Sequence, residues 1–258
     1  MNTTLITGAS SGIGAEFARK LAARGRNLFL VSRTEENLIT LCNELGRIGG
    51  IRAQYLSLDL SKPDAPQTLF DETQKRGLEI DMLINNAGFG SMGDFVRLDL
   101  NRELEMIDLN VKSLVALTHH YLVPMRKRKA GTIINVASTA GFQSVPFMAT
   151  YAATKAFVLS FSEALWDEYR AHGVHVMALC PGVTETNFFA ASQMDRPPMR
   201  SAQTPEEVVD AALRGLQRKK PVVVSGWFNL AMVETERVVP RTWVTKVAGK
   251  ALRPRFEE

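Results

Sequence analysis

The feature that most limits how this chain can fold is a regular alternation of short apolar runs with longer amphipathic stretches. Leu28, Phe29, Leu30 and Val31 are apolar without interruption, not at every second position. A strand with one wet face alternates; an unbroken apolar run suits a parallel strand covered on both faces. Similar runs place strands at residues 4–7, 27–32, 53–58, 82–85, 132–137, 175–179 and 221–225. Between them, helical stretches fall at 13–23, 35–46, 69–76, 102–125, 152–171 and 205–218. Such strand–helix alternation builds an α/β, doubly wound sheet. End signals agree: Thr204-Pro205-Glu206-Glu207 offers a Thr N-cap, a Pro at the first helical position and a Glu three residues after the cap.

The length of 258 residues, 45% of them hydrophobic, is enough for one sizeable core. A net charge of +4 does not call for nucleic acid; a phosphate-bearing small molecule is a sufficient anionic partner. The two cysteines, Cys42 and Cys180, show neither metal-ligand spacing nor a disulfide framework, which fits a reducing cytoplasm. No basic flank and apolar run opens the chain, so no signal peptide is expected. Nor is there a run of about eighteen apolar residues that would span a membrane. The basic run Arg126-Lys127-Arg128-Lys129 before Gly131 reads either as an anion site or as a solvated helix C-terminus that complements the dipole.

Glycines mark the junction of the first strand and first helix. In Thr7-Gly8-Ala9-Ser10-Ser11-Gly12-Ile13-Gly14, Gly8 permits a tight turn, while Gly12 and Gly14 let the helix start approach a ligand. Free N–H groups and the helix dipole then favour a pyrophosphate. The spacing is TGxxxGxG, and no Gly-Lys-Ser/Thr follows to make a nucleotide-triphosphate loop. The second strand ends in Ser32-Arg33, where an NAD site normally carries an acid. Arg33 can pair with a 2′-phosphate, which points to NADP(H); alternatively it pairs with Glu35 or Glu36.

Tyr151 and Lys155 lie four apart on a helix and so share a face. A fixed ammonium beside a phenol favours the phenolate and brings the pKa down from about 10. Ser138, thirteen residues before the tyrosine, can hold the substrate oxygen. The trio reads as machinery that adds or removes a proton at an oxygen.

With the glycine loop, Asn85-Asn86-Ala87-Gly88, Asn110, Ser138, Tyr151-x-x-x-Lys155 and Pro181-Gly182 in order, the chain resembles the short-chain dehydrogenase/reductase family over roughly its first 225 residues. The resemblance implies a Rossmann-like single domain of seven parallel strands ordered 3-2-1-4-5-6-7. Residues 1–226 would form the dinucleotide-binding and catalytic domain, with a lid near 187–203, and residues 227–258 a basic, partly helical extension. In such enzymes the loop of Gly8, Ser10, Ser11, Gly12, Ile13 and Gly14 holds the dinucleotide phosphates, and Asp59 and Leu60 meet the adenine. Asn86, Ala87 and Gly88 line the cofactor. Pro181, Gly182, Val183 and Thr184 abut the nicotinamide, and Thr186 bonds its carboxamide. Tyr151 is the acid or base, Lys155 lowers its pKa and bonds the ribose, and Ser138 polarises the substrate oxygen. Asn110 interrupts its helix around a water that links Lys155 to solvent. Read from the residues alone, Asp59 could equally serve as a cap or turn residue, and Thr186 and Ser10 as caps.

Phe89, Met92, Phe142, Val145, Pro146, Phe147 and Met148 flank these motifs, and Phe188, Phe189, Met194, Pro197, Pro198 and Met199 follow Thr186. Such side chains point to an apolar carbonyl compound. From residue 237 to 255 there are six cations and no acid, interleaved with Trp243 and several valines, and Pro240 breaks any single helix. That stretch reads as a solvated or partner-facing helix, or as a contact for a membrane surface or an acidic carrier. General likeness within the family is greatest to reductases of long-chain acyl and steroid ketones. The expectation is an NADP(H)-dependent oxidoreductase interconverting a carbonyl and an alcohol, self-associated as a dimer or tetramer. Alternatives are an NAD-dependent alcohol dehydrogenase and a non-catalytic NADP(H) sensor or scaffold.

Overall fold

A computed structural model describes residues 2–48, 50–186, 188 and 202–253. Seven strands form one sheet: β1 (Asn2–Thr7), β2 (Asn27–Ser32), β3 (Ala53–Ser57), β4 (Glu79–Asn85), β5 (Gly131–Val136), β6 (Val174–Cys180) and β7 (Val222–Val224). All neighbours pair in parallel, and the order is β3-β2-β1-β4-β5-β6-β7. The expected doubly wound sheet and strand order are therefore present.

Helices cover both faces: α1 (Gly12–Ala22), α2 (Glu35–Leu45), α3 (Ala65–Lys75), α4 (Leu100–Ile107), α5 (Leu114–Arg128), α6 (Ala149–Arg170) and α7 (Pro205–Gln217). The continuous apolar run of β2 shows why both are needed. Leu28 and Leu30 pack with Phe17 of α1, Leu38 of α2 and Val209 of α7. Phe29 and Val31, which point the other way, pack with Leu69 of α3 and Leu117 and Tyr121 of α5. Each of these four β2 residues is at most 1% exposed. Two further helices, α8 (Trp227–Glu236) and α9 (Arg241–Leu252), follow the last strand, with Pro240 directly before α9.

Differences from the sequence expectation have local causes. The α3 helix starts at Ala65, not 69, because Pro66 fits its first turn, where no N–H is required. The helix expected at 102–125 is longer and is interrupted by a π-helical turn, Asp108–Ser113. Arg126, Lys127 and Arg128 occupy the last turn of α5, where Arg128 Nε donates to the Ala130 carbonyl at 2.9 Å. The basic run therefore serves a helix end. Cys42 and Cys180 are both free thiols. Among the described residues no helix is long and apolar enough to cross a membrane.

Candidate active site

Strand order reverses between β1 and β4, and the carboxyl ends of parallel strands at such a reversal leave a crevice. Side chains staple the two strand ends beneath it. Thr7 Oγ1 accepts from the backbone N–H groups of Asn86 and Ala87, both at 3.0 Å. Asn86 Nδ2 donates back to the carbonyls of Thr7 and Gly8 at 2.9 and 3.1 Å. Gly8 and Gly12 sit at φ +63° and +56°, a region side chains rarely enter. At Gly14 a Cβ would lie 2.4 Å from the Gly8 carbonyl oxygen, so the first turn of α1 can lie directly on the loop only if that residue has no side chain.

A cleft of about 560 Å³ runs from this turn along the sheet edge. Gly8, Ser10, Ser11, Gly12 and Ile13 line its middle. Ser11 is the N-cap of α1 and makes no side-chain cap bond, so no cap competes with a ligand for the first-turn N–H groups. This cradle fits a pyrophosphate. At one end stand Ser32, Arg33, Asp59 and Leu60. The Arg33 side chain is 60% exposed, and its guanidinium stands 4.0 Å from the Glu105 carboxylate, not beside Glu35 or Glu36. Asp59 accepts from the N–H and hydroxyl of Ser61 at 3.1 and 2.8 Å, so it is a turn residue that also faces the cleft.

At the other end, Ser138, Tyr151 and Lys155 come together with Asn86, Ala87, Gly88, Pro181, Gly182, Val183, Thr184 and Thr186. Ser138 follows β5, and its Oγ accepts from the Ala140 N–H at 3.1 Å. Tyr151 and Lys155, 8% and 6% exposed, come from the start of α6. Lys155 Nζ donates to the Val136 carbonyl at 2.8 Å and lies 5.8 Å from the centre of the Tyr151 ring. A Cβ on Gly90 would press on that ring at 3.1 Å. Thr186 Oγ1 accepts from the Phe188 N–H at 3.2 Å, the capping-type role open to it from sequence.

Electrostatics depart from the simple reading of a lysine pulling a phenol down. Burial pushes Tyr151 up to about 12, partly offset by its hydrogen bond with Ser138. Burial also brings Lys155 down to about 8. Desolvation of the phenolate outweighs the lowering effect of the Ser138 hydrogen bond. At neutral pH the phenol keeps its proton and the lysine is mostly charged, an arrangement able to donate a proton and then stabilise the anion left behind.

Asn110 and Gly14 are the two expected residues that do not line the cleft. Asn110, 1% exposed, lies in the π-helical turn. Its Nδ2 donates to the Phe89 carbonyl at 2.9 Å and to Thr154 Oγ1 at 3.2 Å, and its Oδ1 accepts from the Phe89 N–H at 3.2 Å. The side chain thus clamps the 86–90 turn against α6. A Cβ on Gly88 would meet Asn110 Oδ1 at 2.8 Å and Lys155 Nζ at 3.6 Å, which puts Asn110 directly behind the end that holds Lys155.

Phe89, Met92, Val145, Met148 and Phe188 give the outer end of the cleft an apolar wall, with the Phe188 ring 5.5 Å from that of Tyr151. Phe142 instead packs into the core beside Val158, and Pro146 lies against Gly249 of α9. Phe189, Met194, Pro197, Pro198, Met199 and most of the expected lid fall outside the described residues. The two ends of that segment are joined by a parallel bridge between Thr184 and Gln203. Thr34, Asn37, Leu109 and Leu252 also line the cleft, and no sequence argument singled them out. Leu252 belongs to α9, whose apolar spacing was its only signal.

The family model described as "short chain dehydrogenase" matches residues 2–197. A 7beta-hydroxysteroid dehydrogenase of Collinsella aerofaciens is 33% identical over 223 residues, 85% of this chain and 84% of that protein. The solved short-chain dehydrogenase of Sphingobium yanoikuyae in complex with NADPH has a TM-score of 0.82 and 34% identity over 87% of each chain. A short chain dehydrogenase/reductase of Burkholderia phymatum in complex with NAD has a TM-score of 0.79 and 25% identity, covering 90% of this chain and 92% of that one. With the sheet order, the glycine cradle and the Ser–Tyr–Lys cluster already in view, the match across most of the chain places this protein in the short-chain dehydrogenase family of nicotinamide-dependent oxidoreductases.

Proposed function

We propose that the protein is an NADP(H)-dependent oxidoreductase that interconverts a ketone or aldehyde with an alcohol on an apolar substrate, with Tyr151 as the general acid and base. The observation that carries this reading is the meeting of Ser138, Tyr151 and Lys155 at one end of a cleft whose far end holds Arg33. Gly8, Ser10, Ser11, Gly12 and Ile13 would hold the pyrophosphate, and Arg33 a 2′-phosphate. Asp59 and Leu60 would lie at the adenine. Asn86, Ala87, Gly88, Pro181, Gly182, Val183, Thr184 and Thr186 would surround the nicotinamide end. The NADPH complex of the Sphingobium relative and the lack of an acid at Ser32 both favour NADP(H).

When bound, the nicotinamide supplies or accepts the hydride at the carbonyl carbon. The chain's own residues handle the oxygen. Ser138 donates a hydrogen bond to it, Tyr151 delivers the phenolic proton as the alcohol forms, and the Lys155 ammonium stabilises the resulting phenolate. The apolar wall of Phe89, Met92, Val145, Met148 and Phe188 selects substrates with a bulky hydrocarbon body. The steroid chemistry of the Collinsella relative fits such a pocket. Exposed Leu104, Val123 and Phe157 on α4, α5 and α6 favour a homodimer or homotetramer, and two free cysteines suit the cytoplasm.

The test is Tyr151→Phe assayed against steroid and long-chain acyl ketones. NADPH binding should persist, while NADPH consumption falls by roughly a hundredfold or more. Turnover near that of the unmodified protein would refute the assignment.

A further inference from the structure

Helices α8 and α9 carry a surface that the reaction does not use. Among the described residues thirteen large hydrophobics are exposed, and six of them crowd into residues 227–247: Trp227, Phe228, Leu230, Val238, Trp243 and Val247. On α9, Trp243, Lys246, Val247 and Lys250 recur at helical spacing and share the outward face. Trp243 and Val247 are each 68% exposed. The inward face carries Gly249, buried against Pro146, and Leu252, which lines the cleft. From residue 237 to 253 there are five cations and no acid. Arg237 is paired with Glu234, whereas Arg241, Lys246 and Lys250 meet no acid among the described residues.

We infer that the outward face of α9 is a docking surface for an anionic lipid bilayer. A tryptophan with an apolar neighbour and flanking lysines matches the membrane–water boundary: the indole sits at headgroup level and the ammonium groups meet lipid phosphates. Charge decides between the occupants. In a two-fold contact between copies of this chain, the surface would meet itself and set Lys246 and Lys250 of one protomer against the same cations of its partner. An anionic lipid surface complements them. Docking by this face places the inward side of α9, and so the apolar end of the cleft, beside the bilayer. An apolar ketone dissolved in the bilayer is then concentrated near that end of the cleft. That last consequence rests on the proposed reaction, but the docking does not.

The experiment uses the full chain with vesicles of phosphatidylcholine alone and of equal phosphatidylcholine and phosphatidylglycerol. Co-sedimentation is expected with the anionic vesicles only, with a blue shift of tryptophan emission and release by raised salt. The K246E/K250E variant should partition at least about tenfold less, as loss of two such cations implies, while still reducing a water-soluble ketone at the original rate. A W243A variant should also bind less and lose most of the emission shift. No co-sedimentation at low salt overturns the inference, as does equal partitioning of both charge forms. Concentration-dependent self-association abolished by K246E/K250E, or capture of an acidic protein without vesicle binding, overturns it in favour of another occupant. Vesicle binding is read without turnover, so its failure is distinct from failure of the proposed reaction.

Discussion

Lys155 carries a cost that depends on pH. In the folded chain it titrates near 8, against an ordinary value of 10.5, because burial disfavours its charge. Below pH 8 the ammonium is charged in both folded and unfolded chains, and the burial penalty is present in full. Between about 8 and 10.5 the unfolded chain holds a proton that the folded chain has released, so stability attributable to this group rises with pH. Lys155→Met removes the titration. The urea midpoint of the unmodified protein, measured relative to that variant, should climb across this window; parallel midpoints from pH 7 to 10 would show that Lys155 is not desolvated. The same titration bears on chemistry. If the charged lysine stabilises the Tyr151 phenolate, kcat/KM for reduction should fall as pH rises through about 8.

At the scale of elements, α8 is tied to the edge of the site by one buried side chain. Asn229, 5% exposed, donates from Nδ2 to Gln203 Oε1 at 3.2 Å and to the Ser225 carbonyl at 2.7 Å. A Cβ on Gly182 would meet the Asn229 amide at 2.4 Å, so the turn after β6 rests directly on it. Asn229→Ala removes a donor from two acceptors and opens space under that turn. It should lower stability by about 1–3 kcal/mol in urea denaturation and raise the KM for the dinucleotide more than it lowers kcat. Unchanged values in both measurements would show that α8 does not support the turn. Sequence reasoning found the strands, most helices and the glycine and Tyr–Lys motifs, because each is local: apolar runs, caps and i,i+4 spacing are written in consecutive residues. It missed what depends on distant partners. The interruption at Asn110 was expected only from the family resemblance; its π-helical form and the partners of Asn110, the backbone of Phe89 and Thr154, were not. The approach of Leu252 to the cleft depends on where α9 docks, and nothing in its own segment encodes that.

For the molecule as a whole, ligand binding and folding are linked. A dinucleotide at a hundred times its Kd stabilises the folded state by about 2.7 kcal/mol, roughly a 5–10 °C rise in Tm for a domain of this size. NADPH should raise Tm more than NADH at equal concentration, and Arg33→Ala should shrink that gap mainly by weakening NADPH. Equal losses with both cofactors would remove Arg33 from the 2′-phosphate site. The bridge between Thr184 and Gln203 acts at this scale too. Gln203 donates to the Val183 carbonyl at 2.9 Å and accepts from the Glu185 N–H at 2.8 Å, and its side chain accepts from Ser225 at 2.7 Å. The segment's two ends are therefore fastened to each other and to the body of the fold, independently of what lies between them. Thr186 and Phe188 follow directly on the first of these anchors, so the fastening also sets where the wall beside Tyr151 begins.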